Sequence, residues 1–160
     1  MAIPIRHSVP TRITAKTRTF FVTSSILEKR NLLQSDRSAS LFIKVLHEYR
    51  AHGNYGLHEF VVMPDHFHVL VTVDRTLSIE KAVQFIKGGF AFRAGRELGL
   101  RAPLWQKGFS EVRILCAEDY ERISEYIRNN PVAHRLVAEP TQFPYSSAYP
   151  GFQLDPPPRG

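Results

Sequence analysis

The sequence predicts an α+β domain built on a four-stranded antiparallel sheet, with helices packed mainly on one face. Three observations predict it. Strand-like and helix-like stretches follow in the order strand, helix, strand, strand, helix, strand, helix, with no internal repeat. The second and third strands are separated only by Pro64-Asp65, a turn pair that makes them an antiparallel hairpin. A chain of 160 residues with 43% apolar content can bury one real core, and is too short for a second.

Residues 17–25, "TRTFFVTSS", are rich in aromatic and β-branched side chains and read as the first strand. After a polar segment, Leu41, Phe42, Val45, Leu46 and Tyr49 share one face of a helix over 38–52, with Lys44, His47 and Arg50 opposite. Gly53-Asn54 stops that helix. The hairpin arms are 55–63 and 66–73. Ile79, Val83, Ile86 and Phe90 mark a second helix from Ser78 to Leu98, although Ser78 and Lys81 do not form a capping box. Two glycines inside it, Gly88-Gly89, cost on the order of 1–2 kcal/mol, so they mark a kink or a close approach to the backbone. Residues 104–115, "LWQKGFSEVRIL", supply the fourth strand, with an irregular turn at Gly108. A last helix runs over 118–129 and is closed by Asn130-Pro131, because the residue before proline leaves the α region. This order matches ferredoxin-like and RNA-recognition layouts. The domain proper spans 17–149, between a basic arm at 1–16 and a proline-rich tail at 150–160, "PGFQLDPPPRG", expected to be disordered.

Net charge is +6 and the isoelectric point near 9.7, which favours an anionic partner, nucleic acid above all. Residues 1–30 hold six Lys or Arg against one acidic residue, and residues 75–107 hold seven against two. Arg12, Lys16 and Arg18 from the first stretch, and Lys81, Lys87, Arg93 and Arg96 from the second, are the candidate DNA contacts. Trp105, Phe92 and Phe109 offer rings for unpaired bases, although for each the core is the favoured reading. The single cysteine, Cys116, excludes an internal disulfide and a cysteine-rich zinc site and fits the cytoplasm. With no apolar leader and no run of about 18 apolar residues, neither secretion nor membrane insertion is expected.

The chemistry begins at "VVMPDHFHVLV". In a strand His66 and His68 share one face, while Phe67, Val69, Val71 and Val73 share the other, so the histidines form a two-toothed grip facing a cleft. Such a pair can be a core accident, a cupin-type metal grip, or half of a metal site for phosphate chemistry. The helices disfavour the all-strand cupin barrel. The third reading needs another ligand and a nucleophile. Tyr126 and Asn130 lie four apart on the last helix, at the edge of the apolar stripe Tyr120, Ile123, Ile127. Taken singly, Tyr126 also reads as a rim tyrosine with a wet hydroxyl, and Asn130 as a helix cap.

The blocks "FFVTSS", "VVMPDHFHVLV", "LWQKGF", "YIRNNPVAHRLV" and "PYSSA", in this order across residues 17–149, make the sequence similar to the single-tyrosine, HUH-type transposases, and within them to the REP-associated tyrosine transposases. The resemblance implies the HUH fold and a metal-dependent endonuclease and strand transferase acting on single-stranded DNA beside a hairpin. His66 and His68 would be the metal ligands, Tyr126 the nucleophile, and Asn130 the polar residue completing the site where relatives often carry Gln. Glu111, Val112 and Arg113 stand where many relatives read closer to Asp-His. Two imidazoles suit zinc or manganese, whereas the resemblance implies magnesium or manganese; Mg2+ or Mn2+ is the expected cofactor. The expected partner is a DNA hairpin with its single-stranded flank, handled in a bacterial cytoplasm by a monomer cutting in cis, with a dimer as the alternative. The other class of reading is a nucleic-acid-binding regulator of the same fold that no longer cuts.

Overall fold

A computed structural model of the chain describes residues 17–158; the arm at 1–16, with Arg12 and Lys16, lies outside the described residues. The elements are β1 (Thr17–Ser25), α1 (Asp36–Ala51), β2 (Gly56–Met63), β3 (His66–Asp74), α2 (Ile79–Leu98), β4 (Ser110–Ile114) and α3 (Ala117–Ala133). One four-stranded sheet of order β2-β3-β1-β4 forms, every pairing antiparallel. Among the described residues no helix is long and apolar enough to cross a membrane.

Strand alternation sorts the side chains as the sequence predicts. Phe20, Val22, Phe67, Val69 and Val71 point to one face, where they pack against Phe42 and Leu46 of α1 and Ile86 and Phe90 of α2. Met63, Leu70 and Ile114 point to the other, against Ile123 and Ile127 of α3 and against Phe143. Two of the three α-helices described therefore cover one face, and α3 alone covers the other. Ser35 caps α1 by accepting from the Ser38 N–H at 3.1 Å, and Ser78 caps α2 by accepting from the Lys81 N–H at 3.1 Å.

Gly88-Gly89 produces no break: α2 is continuous across it. Gly89 is the close approach, since a Cβ there would lie 2.9 Å from Tyr49 Cε2 and 3.2 Å from Val45 Cγ1 of α1, whereas at Gly88 nothing lies within 4 Å. The Tyr49 ring cannot swing away cheaply, because it stacks on Phe85 at 5.3 Å. Gly89→Ala is expected to lower stability by roughly 1–3 kcal/mol through overpacking, and Gly88→Ala to raise it by about 0.5–1 kcal/mol through helix propensity. Urea titration of the two variants checks the opposite signs.

Three boundaries differ from expectation. The fourth strand begins at Ser110, not Leu104: Trp105 keeps a single bridge to Ile26, and the positive φ of Gly108, +80°, turns the chain before the ladder starts. Helix α3 does not close at Asn130-Pro131 but runs through it. Pro131 is buried, and the last turn is held by N–H groups of His134 on Asn130 O, 3.1 Å, and Leu136 on Pro131 O, 2.9 Å. The tail is docked as far as it is described. Asp155 takes a bidentate pair from Arg50 at 2.8 and 2.9 Å and the Leu57 N–H at 2.7 Å, and Phe152 packs edge-on against Phe60. Composition signals disorder there, yet one carboxylate and two apolar residues, Phe152 and Leu154, suffice to fasten the segment.

The outer edge of β2 is covered by the chain's own end. Val62 N–H donates to Tyr145 O, Ser147 N–H to Phe60 O and Asp155 N–H to Leu57 O, each at 2.7–2.8 Å. Backbone groups that would otherwise invite another strand are thereby satisfied.

Candidate active site

The turn Pro64-Asp65 delivers His66 as the first residue of β3, and the period of the strand puts His68 on the same face. His68 sits in the sheet centre, opposite Thr23 on β1 and Val61 on β2. The two rings lie 4.8 Å apart between centroids. His66 is partly exposed, but His68 is buried at 6% exposure, so only the first tooth reaches solvent directly.

Each ring is oriented through Nδ1. His66 Nδ1 lies 2.6 Å from Asp65 Oδ1; an ionised carboxylate only accepts, so Nδ1 carries the hydrogen and Nε2 the lone pair. His68 Nδ1 lies 2.7 Å from Thr23 Oγ1. Burial lowers the His66 pKa, partly offset by Asp65, and pushes His68 down to about 3, with the neighbouring His66 and His134 adding to it. Both rings are then neutral at pH 7, the form that ligates metal.

The depressed His68 pKa fixes the sign of a pH effect. Unfolded His68 takes up a proton near its ordinary 6.5 while the folded state refuses it until about 3, so the stability it supports is complete above 6.5 and declines as pH falls through that window. Thermal melting at pH 7.5 and 5.5 should show a steeper loss for the natural chain than for His68→Gln, whose amide does not titrate.

Helix α3 brings the second half of the site. Its apolar stripe Ile123, Ile127 packs on Met63 and Leu70 beside the histidines. The Tyr126 ring meets His68 edge-on at 5.5 Å and Phe21 at 5.9 Å, while Phe21 itself stacks on His68 at 5.3 Å. Half-buried, Tyr126 is held by packing and keeps solvent access. One turn on, Asn130 is 2% exposed, and its Oδ1 is buried with no hydrogen-bond partner among the described residues. Leaving such an acceptor unpaired costs about 1–3 kcal/mol.

That orphaned oxygen carries the test of whether a metal fits. Among the described residues no three His, Cys, Asp or Glu side chains converge on one point, so a third protein ligand must come from elsewhere. Asn130 Oδ1 is a hard donor with no partner among the described residues, and His66 Nε2 carries a lone pair; with His68 they would offer the kind of N2O set a divalent cation takes.

Several contributors carried no short-range signal. Glu59, buried on β2, accepts from Arg128 of α3 at 2.9 Å and from the Ser147 hydroxyl at 2.6 Å, pinning the tyrosine helix to its own sheet. Asp65 reads as a turn residue and Thr23 as strand. His134, four residues past Asn130, sets Nδ1 3.0 Å from Asn130 O and its ring 6.4 Å from that of His66.

The basic residues separate from this site. Helix α2 lies on the sheet face away from the histidines. Lys87, expected to face phosphate, spends its ammonium on Gly108 O at 2.7 Å and Gln106 O at 3.1 Å, and burial lowers its pKa. Arg93 is paired with Glu48 and Glu97 at 2.8 and 2.7 Å, and Arg18 donates to Asp74 O and Leu77 O. Trp105 is a core ring against Phe42, Phe67 and Phe90, its Nε1 donating to Lys87 O at 2.9 Å. A count of charges or aromatics does not reveal such internal partners. Lys81 and Arg96 stay exposed.

The chain is similar to several known proteins. A REP-associated tyrosine transposase of Escherichia coli (strain K12) is 26% identical over 130 residues, 81% of this chain and 75% of that one. The fold is shared with a solved REP-associated tyrosine transposase bound to a REP hairpin, at TM-score 0.70 and 23% identity over 92% of this chain and 82% of that chain. It is shared also with a chain from Deinococcus radiodurans R1 assigned as a transposase, at TM-score 0.55 and 19% identity, over 81% and 97% of the two chains. The family described as "Transposase IS200 like" matches residues 14–130, a stretch containing both histidines, the tyrosine and Asn130. By that match the chain belongs to the IS200-like transposases, and a transposase-like DNA-binding function follows from the membership.

Proposed function

We propose that the protein is a metal-dependent endonuclease and strand transferase that cuts single-stranded DNA beside a hairpin, with Tyr126 as nucleophile. The observation that carries the proposal is the Tyr126 ring packed against His68 at 5.5 Å, one helical turn from the orphaned Oδ1 of Asn130. The hairpin as substrate is supported by the structural neighbour bound to a REP hairpin.

Tyr126 Oη attacks the scissile phosphorus in line, the P–O3′ bond breaks, and the proton lost by the phenol is balanced by the proton gained at the 3′-oxygen. The products are a 5′-phosphotyrosine link and a free 3′-hydroxyl. Attack of a 3′-hydroxyl on that link then rejoins DNA with no external energy source, since one phosphodiester replaces another. His66, His68 and Asn130 would hold a divalent cation, Mg2+ or Mn2+, which would supply charge stabilisation at the non-bridging phosphate oxygens. Asp65 and Thr23 hold the imidazoles in the ligating orientation, and Phe21 limits how far Tyr126 and His68 can swing.

A labelled hairpin oligonucleotide with a single-stranded flank, incubated with manganese and run on a denaturing gel, tests the proposal. A protein-linked band supports it; a shift on native gels alone assigns the chain to the non-cutting regulators.

The Glu59–Arg128–Ser147 pin and the covered β2 edge favour a monomer that cuts in cis. Mixing Tyr126→Phe with His66→Ala protein, each lacking a different half of the site, is expected to give no cleavage. Recovered cleavage would place the tyrosine in trans.

A further inference from the structure

The outer face of α2 is built unlike an ordinary solvated helix face. At 100° per residue Lys81, Phe85, Gly88, Phe92, Gly95 and Arg96 fall within one arc of about 100°, and the helix's carboxylates, Glu80 and Glu97, fall outside it. The arc runs about 22 Å along the helix, at 1.5 Å per residue. Phe92 is 63% exposed, the most exposed large apolar side chain among the described residues, and the Arg96 guanidinium lies over its ring at 5.4 Å. Lys81 lies over the Phe85 ring at 5.9 Å, while Tyr49 covers Phe85 from α1, leaving Phe92 as the more exposed ring. Between the two phenylalanines sits Gly88, which, unlike Gly89, has no packing reason to lack a Cβ. Bare helix backbone flanked by aromatic rings and cations lets a strand approach closely, stack bases and pair phosphates.

We propose that this face is a second nucleic-acid surface, on the side of the sheet away from the histidines, where single-stranded nucleic acid stacks a base on Phe92 and places phosphates against Lys81 and Arg96. The occupant follows from the chemistry: a π-face, cations and no carboxylate on one strip match an unpaired, anionic strand. The surface does not depend on Tyr126 chemistry, so either proposal can fail alone.

The test uses the full chain carrying Tyr126→Phe, in EDTA, and a labelled twelve-nucleotide thymidine oligomer, which forms no hairpin, read by fluorescence anisotropy. Phe92→Ser is expected to weaken binding at least about fivefold, the lower end of the loss of one stacked base. Lys81→Gln with Arg96→Gln is expected to flatten the log affinity against log salt slope by about 1.4, two phosphates at about 0.7 each. Comparison with a uridine oligomer assigns the strand to DNA or RNA, either of which sustains the surface. Unchanged affinity in Phe92→Ser, with circular dichroism showing an intact fold, overturns the proposal. So does an equal loss on a blunt duplex, which would mean phosphate contact without stacking. Self-association of the natural chain in sedimentation that Phe92→Ser abolishes would make a second copy the occupant and overturns it as well.

Discussion

Tyr126→Phe is expected to abolish the covalent protein–DNA adduct, a loss on the order of 10³-fold or more in cleavage, while hairpin affinity stays within about twofold. The substitution deletes one oxygen. The ring keeps its edge contacts with His68 and Phe21, at 5.5 and 5.9 Å, and no proposed metal ligand is touched. Stability should move by less than about 0.5 kcal/mol, since the side chain is half-buried and its packing atoms remain. Parallel denaturing and native gels check both halves of the result. A binding defect as large as the cleavage defect would mean that the hydroxyl positions DNA and performs no attack.

The second large effect is expected at the histidines. His66→Ala with His68→Ala should remove cleavage and weaken manganese binding at least tenfold, because two of three proposed protein ligands are gone. The two changes differ in their structural cost. His66 is partly exposed and its Nδ1 is bonded to Asp65 on the turn beside it, so its loss is mild. His68 is buried, stacked on Phe21 and bonded to Thr23, and its removal leaves a cavity and an unpaired hydroxyl, together about 1–3 kcal/mol. Titration calorimetry on His66→Ala alone therefore isolates the metal effect from any loss of fold. Unaltered manganese binding in that variant would remove His66 from the site.

What could be read in the residues, and what could not, divides by distance along the chain. Strand β1, the hairpin and α2 were legible because alternation, turn chemistry and a 3.6-residue stripe are local properties. The stripe of α3 announces that a face is buried, but not against which side of the sheet; that is settled by the partners Met63, Leu70 and Ile114, far away in sequence. Proline rules ended α3 four residues early because they count the lost N–H and not the burial of Pro131. The tail looked disordered by composition, since its one decisive contact, Arg50 to Asp155, spans 105 residues. In the candidate site, His66 and His68 were legible as one strand face and Tyr126 and Asn130 as one helix face, while their roles come from the family resemblance. Thr23 behind His68 and the Glu59–Arg128–Ser147 pin were not, because each pairing crosses 45 to 88 residues. Lys87 and Trp105 carry a warning of the same kind: a cation and a ring suited to nucleic acid are here closed into hydrogen bonds and a core.

The proposed chemistry turns on one bond, between Tyr126 Oη and a 5′-phosphate. Trapping the adduct with a hairpin oligonucleotide and manganese, removing the DNA with nuclease, and sequencing tryptic peptides by mass spectrometry locates that bond directly. The predicted result is a nucleotide mass on the peptide Ile123 to Arg128, "ISEYIR", at Tyr126. A nucleotide on any other residue, Tyr120 included, or cleavage that releases a 5′-phosphate with no protein attached, would contradict it.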